Sequence, residues 1–173
     1  ESNEFFRVEA YRVTGTEDRE VNNGWDQPFL TQEGYDGGIL GLIRKRFNGI
    51  PYYLVEAKPE PGNFNIVQIS TTVQATFSNI KRAHKGKSTS YVEYFLEPEK
   101  YPVTVILDQS MSEDGGRLFN KRNRVMLIEH HEDIPFVIES DRFKWVTLYQ
   151  LKHLIVYQNA IVGPHIRGVI SGL

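Results

Sequence analysis

An α+β fold, built on a mainly antiparallel mixed sheet with one long C-terminal helix, is what this 173-residue sequence predicts. Three observations carry the prediction. Successive β-rich runs follow one another with little between them, two of those runs flank an Asn-Gly pair, and a single segment near the C-terminus has helical spacing. Strands that neighbour in sequence and join by short turns pair antiparallel, which separates this pattern from an alternating βαβ order.

The first run, "FFRVEAYRV", alternates. Phe6, Val8, Ala10 and Arg12 fall on one face and Phe5, Arg7, Glu9, Tyr11 and Val13 on the other, which reads as a strand. "GTEDREVNNG" is a polar connection. "GILGLIRKRF-NG-IPYYLVEAK" is the strongest local signal, because Asn48-Gly49 tolerates the positive φ angles of a two-residue hairpin turn. Pro59 and Pro61 close the second strand, since proline cannot donate to a ladder. "NIVQIS", "SYVEYFL", "PVTVILDQ" and "NRVMLIEH" read as further strands, for a tally of about seven. "SNIKRAHKG" reads as a helical turn capped by Ser78 or Asn79 and closed by Gly86. "MSEDGGRLFNKRNR" stays ambiguous, because Gly115-Gly116 weakens a helix that Ser112 would cap. In "TLYQLKHLIVYQN" Thr147 and Gln150 have capping-box spacing, and Leu148, Leu151, Leu154 and Ile155 share a face. Pro164 is expected to end whatever helix remains.

Length fits one domain, residues 1–173, with a hydrophobic fraction of 40% and a charged fraction of 24%. A net charge of -2 gives no global attraction to nucleic acid or an anionic membrane, so neither is expected as a partner. The absence of cysteine excludes disulfides, thiolate metal sites and a cysteine nucleophile. No apolar run reaches 18 residues, and the first ten residues have no signal-peptide pattern, so a cytoplasmic location is the expectation. The five histidines have no metal-ligand spacing: HExxH is absent, and the adjacent His130 and His131 point to opposite faces of a strand. GxSxG, GxGxxG and the phosphate-loop motif are absent as well.

What remains is a polar, nearly uncharged run, "EPGNFNIVQISTTVQATFSN" at 60–79, and two basic clusters, "KRAHKGK" at 81–87 and "RLFNKRNR" at 117–124. Amides and hydroxyls suit an uncharged hydroxyl-rich ligand; they equally satisfy backbone groups at a junction between elements. The basic clusters are either solvated faces or a clamp for phosphate oxygens. Trp25 is either a core residue or a stacking platform for a base. Glu60, Glu113 and Asp114 lie beside Gly or Pro turns, where active-site carboxylates often occur.

The blocks "FFRVEAYRV", "WDQPFL", "GILGLIRKRFNGIPYYLVEAKPEPGN", "VQISTTVQATFSN", "FNKRNRVM" and "WVTLYQLKHLI" occur in order from Phe5 almost to Leu173. Together they resemble the NDP-hexose 2,3-dehydratase family of deoxysugar biosynthesis. The resemblance implies a Nudix-like α+β sandwich and a chain equivalent to one of the two repeats that family members carry, paired as a homodimer. The glutamate-rich magnesium helix of Nudix diphosphate hydrolases has no counterpart here, so hydrolysis is not expected. Departures from the family pattern include Ser70-Thr71-Thr72 before "VQAT", "SEDGG" at 112–116, and "GPHIRG" at 163–168, which keeps only Arg167.

The implied reaction is loss of water across C2 and C3 of a nucleotide-linked 4-keto-6-deoxyhexose, with the ketone as electron sink and neither cofactor nor metal. It needs a base for the C3 proton, and Glu113, Glu60 and His84 are the candidates. Donors for the enolate oxygen are expected among Asn63, Thr72, Gln74, Thr76 and Asn79. Arg117, Lys121, Arg122 and Arg124 are the candidate diphosphate clamp, with Arg167 as a further substrate contact and Lys81 and Arg82 as rivals; Trp25 or a tyrosine would stack the base. The alternative is a non-catalytic nucleotide-sugar-binding or dimerisation module that has lost the base, which the changed 112–116 and 163–168 segments favour.

Overall fold

The computed structural model describes residues 6–32, 37–83 and 85–173. It has an α+β architecture in which a seven-stranded mixed sheet is covered on both faces, with a separate two-stranded ribbon beside it. The ribbon pairs β1 (Arg7–Val13) with β2 (Trp25–Thr31) antiparallel, in register from Arg7↔Thr31 to Val13↔Trp25. β3 (Gly38–Phe47) and β4 (Ile50–Pro59) form the expected hairpin. Asn48 and Gly49 take φ of 51° and 77°, so both central residues occupy the left-handed region that this turn demands. β5 (Val67–Ser70), β6 (Val73–Thr76), β7 (Val103–Ser112), β8 (Arg122–His130) and β9 (Phe143–Thr147) complete the sheet. Among the described strands only the β3–β8 pair is parallel.

The sheet forks, and the fork positions everything that follows. β3 and β4 pair only from Ile43↔Leu54 to the turn. Beyond that point β3 pairs with β6 (Gly38↔Thr76 to Gly41↔Val73) and β4 with β5 (Glu56↔Ser70 to Pro59↔Val67). Glu56 also pairs with Phe143 of β9, so β5 and β9 lie on opposite edges of β4, and β5 occupies the edge that β3 has left. Residues 67–76 therefore enter the fork as a wedge. At its apex Thr72 accepts from the Ile43 amide at 2.9 Å and donates to the Leu54 carbonyl, bridging the last pair of the parting strands.

Strand alternation sends Leu40, Leu42, Tyr53, Val55, Val125 and Leu127 to one face, where they pack under α3 (Leu148–Tyr157) and α4 (Pro164–Ile170) through Leu151, Ile166 and Val169. Ile39, Ile43, Leu54, Met126 and Ile128 line the other face, against Tyr91, Val92, Phe95 and Phe143. Both capping-box bonds of Thr147 and Gln150 are present at the start of α3.

Four readings of the sequence are corrected. "SYVEYFL" is not a strand: Glu93–Leu96 form α2, because Tyr91, Val92 and Phe95 recur at helical spacing over Gly41, where an added Cβ would lie 2.5 Å from the Phe95 ring. The short helix α1 (Phe77–Ile80) is capped by Thr76 rather than Ser78 or Asn79. Pro164 begins a helix instead of ending one, since its missing N–H is harmless in the first turn, so α3 is followed by a second C-terminal helix. β2, β6 and β9 exist only through their partners: β2 carries a proline, and β6 and β9 are four and five residues long.

Candidate functional site

The arms of the fork carry the first group of polar side chains. Ser70 donates to Gln74 Oε1 at 2.6 Å, and Gln74 Nε2 donates to Glu60 Oε1 at 3.4 Å. Lys58 Nζ spans the arms to the Gln74 carbonyl at 2.6 Å and lies 3.9 Å from Glu60 Oε1. Asn63 donates to the carbonyls of Lys58 and Ile66, which holds the 60–66 turn closed. Lys58, Glu60, Asn63, Gln68, Ser70, Gln74 and His165 line a cavity of about 120 Å³. A neighbouring cavity of about 230 Å³ shares Lys58 and Gln74 and adds Glu56, Thr72, Asn79 and Arg142. Burial raises the Glu56 carboxyl above its ordinary range, while Lys58 and Arg142 pull it down.

The second group is built on the β7–β8 connection. The Glu113 amide donates to the Lys121 carbonyl at 3.0 Å, and Asp114 organises the turn through Gly116, Arg117 and Leu118. This resolves the ambiguous "SEDGG" segment as a side-chain-capped turn. The ribbon grips it: the Leu30 amide donates to Arg117 O at 2.8 Å, the Phe119 amide to Leu30 O at 3.1 Å, and Gln27 Nε2 to Gly116 O at 2.9 Å.

Glu113 is mostly buried. Its Oε1 accepts from Asn123 Nδ2, on the β8 face that meets α4, and lies 3.3 Å from His165 Nε2. Oε2 accepts no hydrogen bond from the described residues. Gly163 N donates to Ile69 O at 2.9 Å, tying the start of α4 to β5; His165, next after Pro164, thereby reaches both Glu113 and the fork cavity. Glu113, Lys121 and Arg122 line a ligand-sized cavity of about 600 Å³ with Phe29, Leu118 and Phe119. His165 joins this cavity's carboxylate to the polar cavity of the fork.

The expected site residues divide accordingly. Glu113, Lys121 and Arg122 come together, as do Glu60, Asn63 and Gln74. Thr72 borders the 230 Å³ cavity but is 1% exposed, and its hydroxyl is committed to the two parting strands, so it holds the fork. Thr76 caps α1 through Asn79 N and exchanges a hydrogen bond with Ser78. Arg124 is held bidentate by Asp108 at 2.9 and 2.7 Å, which keeps the Asp108 carboxyl below its usual range. Arg117 reaches Asp114 from an open surface, and Arg167 donates to the Val162 carbonyl. Trp25 donates to Gln27, the Arg19 guanidinium sits 5.8 Å over one face of its ring, and it lines none of these three cavities. Lys81 and Arg82 follow α1, outside both groups, and His84 lies outside the described residues. Sequence reasoning missed Lys58, Ser70, Asn123, His165 and Glu56. Only Glu56 left a trace, a carboxylate within an otherwise apolar strand.

A forked mixed sheet with an α4 histidine set against a turn carboxylate, and cations beside it, defines an α+β protein with a polar, cation-lined cavity. The chain belongs to the NDP-hexose 2,3-dehydratase family, whose model matches residues 1–173. It is 38% identical over 175 residues to a dTDP-4-dehydro-6-deoxy-α-D-glucopyranose 2,3-dehydratase of Amycolatopsis orientalis, covering 99% of this chain and 36% of that protein. Proteins of the same description from Saccharopolyspora spinosa and Streptomyces violaceoruber are 40% and 38% identical, over 96% and 99% of this chain and 32% and 37% of theirs. The chain thus spans about a third of the length of these curated relatives. Among solved structures, a C. elegans Ap4A hydrolase aligns with a TM-score of 0.42 and 13% identity, over 76% of this chain and 94% of that one.

Proposed function

We propose that this chain is one repeat of a sugar-nucleotide 2,3-dehydratase acting on a dTDP-4-keto-6-deoxyhexose, with a second copy completing the enzyme. The observation that carries the reading is the Glu113 carboxylate. Asn123 and His165 both address Oε1, which leaves Oε2 for a proton in the cavity that Lys121 and Arg122 share. Glu113 takes the C3 proton, and the electron pair passes into the C4 ketone as an enolate. The enolate collapses to a C2–C3 double bond as the C2 hydroxyl leaves, taking a proton from the site to depart as water. The enol then gains a proton at C2 and becomes the 3,4-diketone. His165, held against Glu113, is placed to move protons between carboxylate and leaving group, and Lys121 and Arg122 hold the diphosphate. The reaction is redox-neutral overall.

A second reading makes Glu56 the base, favoured by its raised proton affinity beside Lys58 and Gln74. Incubation with dTDP-4-keto-6-deoxyglucose in deuterated buffer, followed by NMR and mass spectrometry, tests the proposal. Loss of water with deuterium at C2 supports it. Binding without turnover moves the chain to a non-catalytic nucleotide-sugar module.

A further inference from the structure

The cavity beside Glu113 has a side that the reaction does not use. Phe119 of the 113–121 turn lines it together with Phe29 of β2, Lys121 and Arg122. Phe119 is 40% exposed as a residue, yet its ring is not loose. Tyr11 of β1 stacks on it with centroids 4.6 Å apart and planes 12° from parallel. Phe29 meets it edge-on at 5.8 Å and meets Tyr11 at 5.5 Å. The Phe119 amide is bonded to Leu30 O and the Leu30 amide to Arg117 O, so backbone as well as side chain is fixed from the ribbon. Tyr11 is itself anchored, its hydroxyl donating to Glu9 at 3.0 Å.

An aromatic ring held from one side by a parallel ring, and open to a ligand-sized cavity with two cations, matches the needs of one chemical class. A nucleoside diphosphate brings a planar base for the ring and a diphosphate for the cations. Stacking on a preorganised ring avoids the ordering cost that a free side chain incurs. Trp25, the aromatic that the sequence singled out for base stacking, does not line this cavity, and Arg19 lies over one of its faces.

We infer that Phe119, backed by Tyr11 and flanked by Phe29, is the stacking platform for the nucleobase, with Lys121 and Arg122 on the diphosphate. The inference rests on the nucleotide-sugar reading above and names where the nucleoside end of that ligand lies. It also accounts for the ribbon, since β1 and β2 hold the platform that the sheet alone does not supply.

The test is calorimetric titration of the chain and its Phe119→Leu and Phe119→Trp variants with dTDP and with inorganic pyrophosphate, beside a thermal melt of each. Leucine keeps apolar contact with the ribbon but offers no π face. The expected result is roughly tenfold weaker dTDP binding by Phe119→Leu, with pyrophosphate binding unchanged, the melting temperature lowered only by the few degrees that the lost Tyr11 stacking is worth, and dTDP binding kept by Phe119→Trp. Unchanged dTDP affinity in Phe119→Leu overturns the platform and leaves the proposed function standing. Equal loss for both ligands with a lowered melting temperature makes Phe119 a packing residue and also overturns it. A wild-type chain that binds neither probe overturns the nucleotide-sugar reading, and the platform with it.

Discussion

Replacing Thr72 with valine tests the fork directly. The side chains are nearly isosteric, but valine neither accepts from the Ile43 amide nor donates to the Leu54 carbonyl. Thr72, Ile43 and Leu54 are all 1% exposed or less, so water does not substitute. Leaving a buried polar group unsatisfied costs about 1–3 kcal/mol, and two lose a partner here, which gives about 3 kcal/mol once part of the strain relaxes. That is a large fraction of the roughly 5–15 kcal/mol that stabilises a typical domain. In a chain of this length it lowers the melting temperature by about 6–12 °C. The assay is urea and thermal unfolding of wild type, Thr72→Val and Thr72→Ser. Serine keeps the hydroxyl and loses a methyl, so it is expected to cost about 1 kcal/mol. If valine proves as stable as serine or better, Thr72 does not hold the fork and the reasoning is wrong.

Three further outcomes follow from the same structure. Glu113→Gln is expected to lower dehydration at least about a hundredfold while dTDP binding is retained, and Glu56→Gln to keep most activity; the reverse pattern in single-turnover assays transfers the base role to Glu56. Burial, aided by the nearby Lys45 cation, lowers the pKa of His130 below 6.5, against a bond to the His131 carbonyl that raises it. The unfolded chain therefore takes up that proton first: the contribution is complete above pH 6.5 and is lost as pH falls from there through the folded pKa. His130→Gln should flatten that part of the stability profile between pH 7.5 and 5, and parallel profiles for the two proteins would count against it. Gly41→Ala places a methyl against the Phe95 ring and is expected to cost about 2 kcal/mol, partly restored by Phe95→Leu in a double-mutant unfolding cycle.

The polar run at 60–79 shows how far sequence reasoning reached. Its amides and hydroxyls suited either a ligand or a junction between elements, and the structure divides them. Thr71, Thr72 and Thr76 serve backbone groups and a helix cap, whereas Asn63, Gln68, Ser70 and Gln74 face a cavity. Composition could not make that division, because a threonine wedged between parting strands and one lining a cleft look alike in sequence. The basic cluster behaved in the same way. Lys121 and Arg122 reach the Glu113 cavity, while Arg124, two residues on, is claimed by Asp108 from the neighbouring strand.

By itself the sequence determined whatever depends on neighbours along the chain. The Asn48-Gly49 turn, the alternation of β1, the apolar β-rich runs of β3, β4 and β8, and the capped amphipathic α3 follow from backbone preference and from periods of 2 and 3.6 residues. Tertiary structure decided the rest. "SYVEYFL" became helical over Gly41, β9 formed because β4 had a free edge, and the fork opened where β3 and β4 part. The same folding brought His165 from α4 to Glu113 after β7. Contacts between distant segments depend on which faces meet once the apolar surfaces of the sheet are covered, and no local pattern encodes that choice.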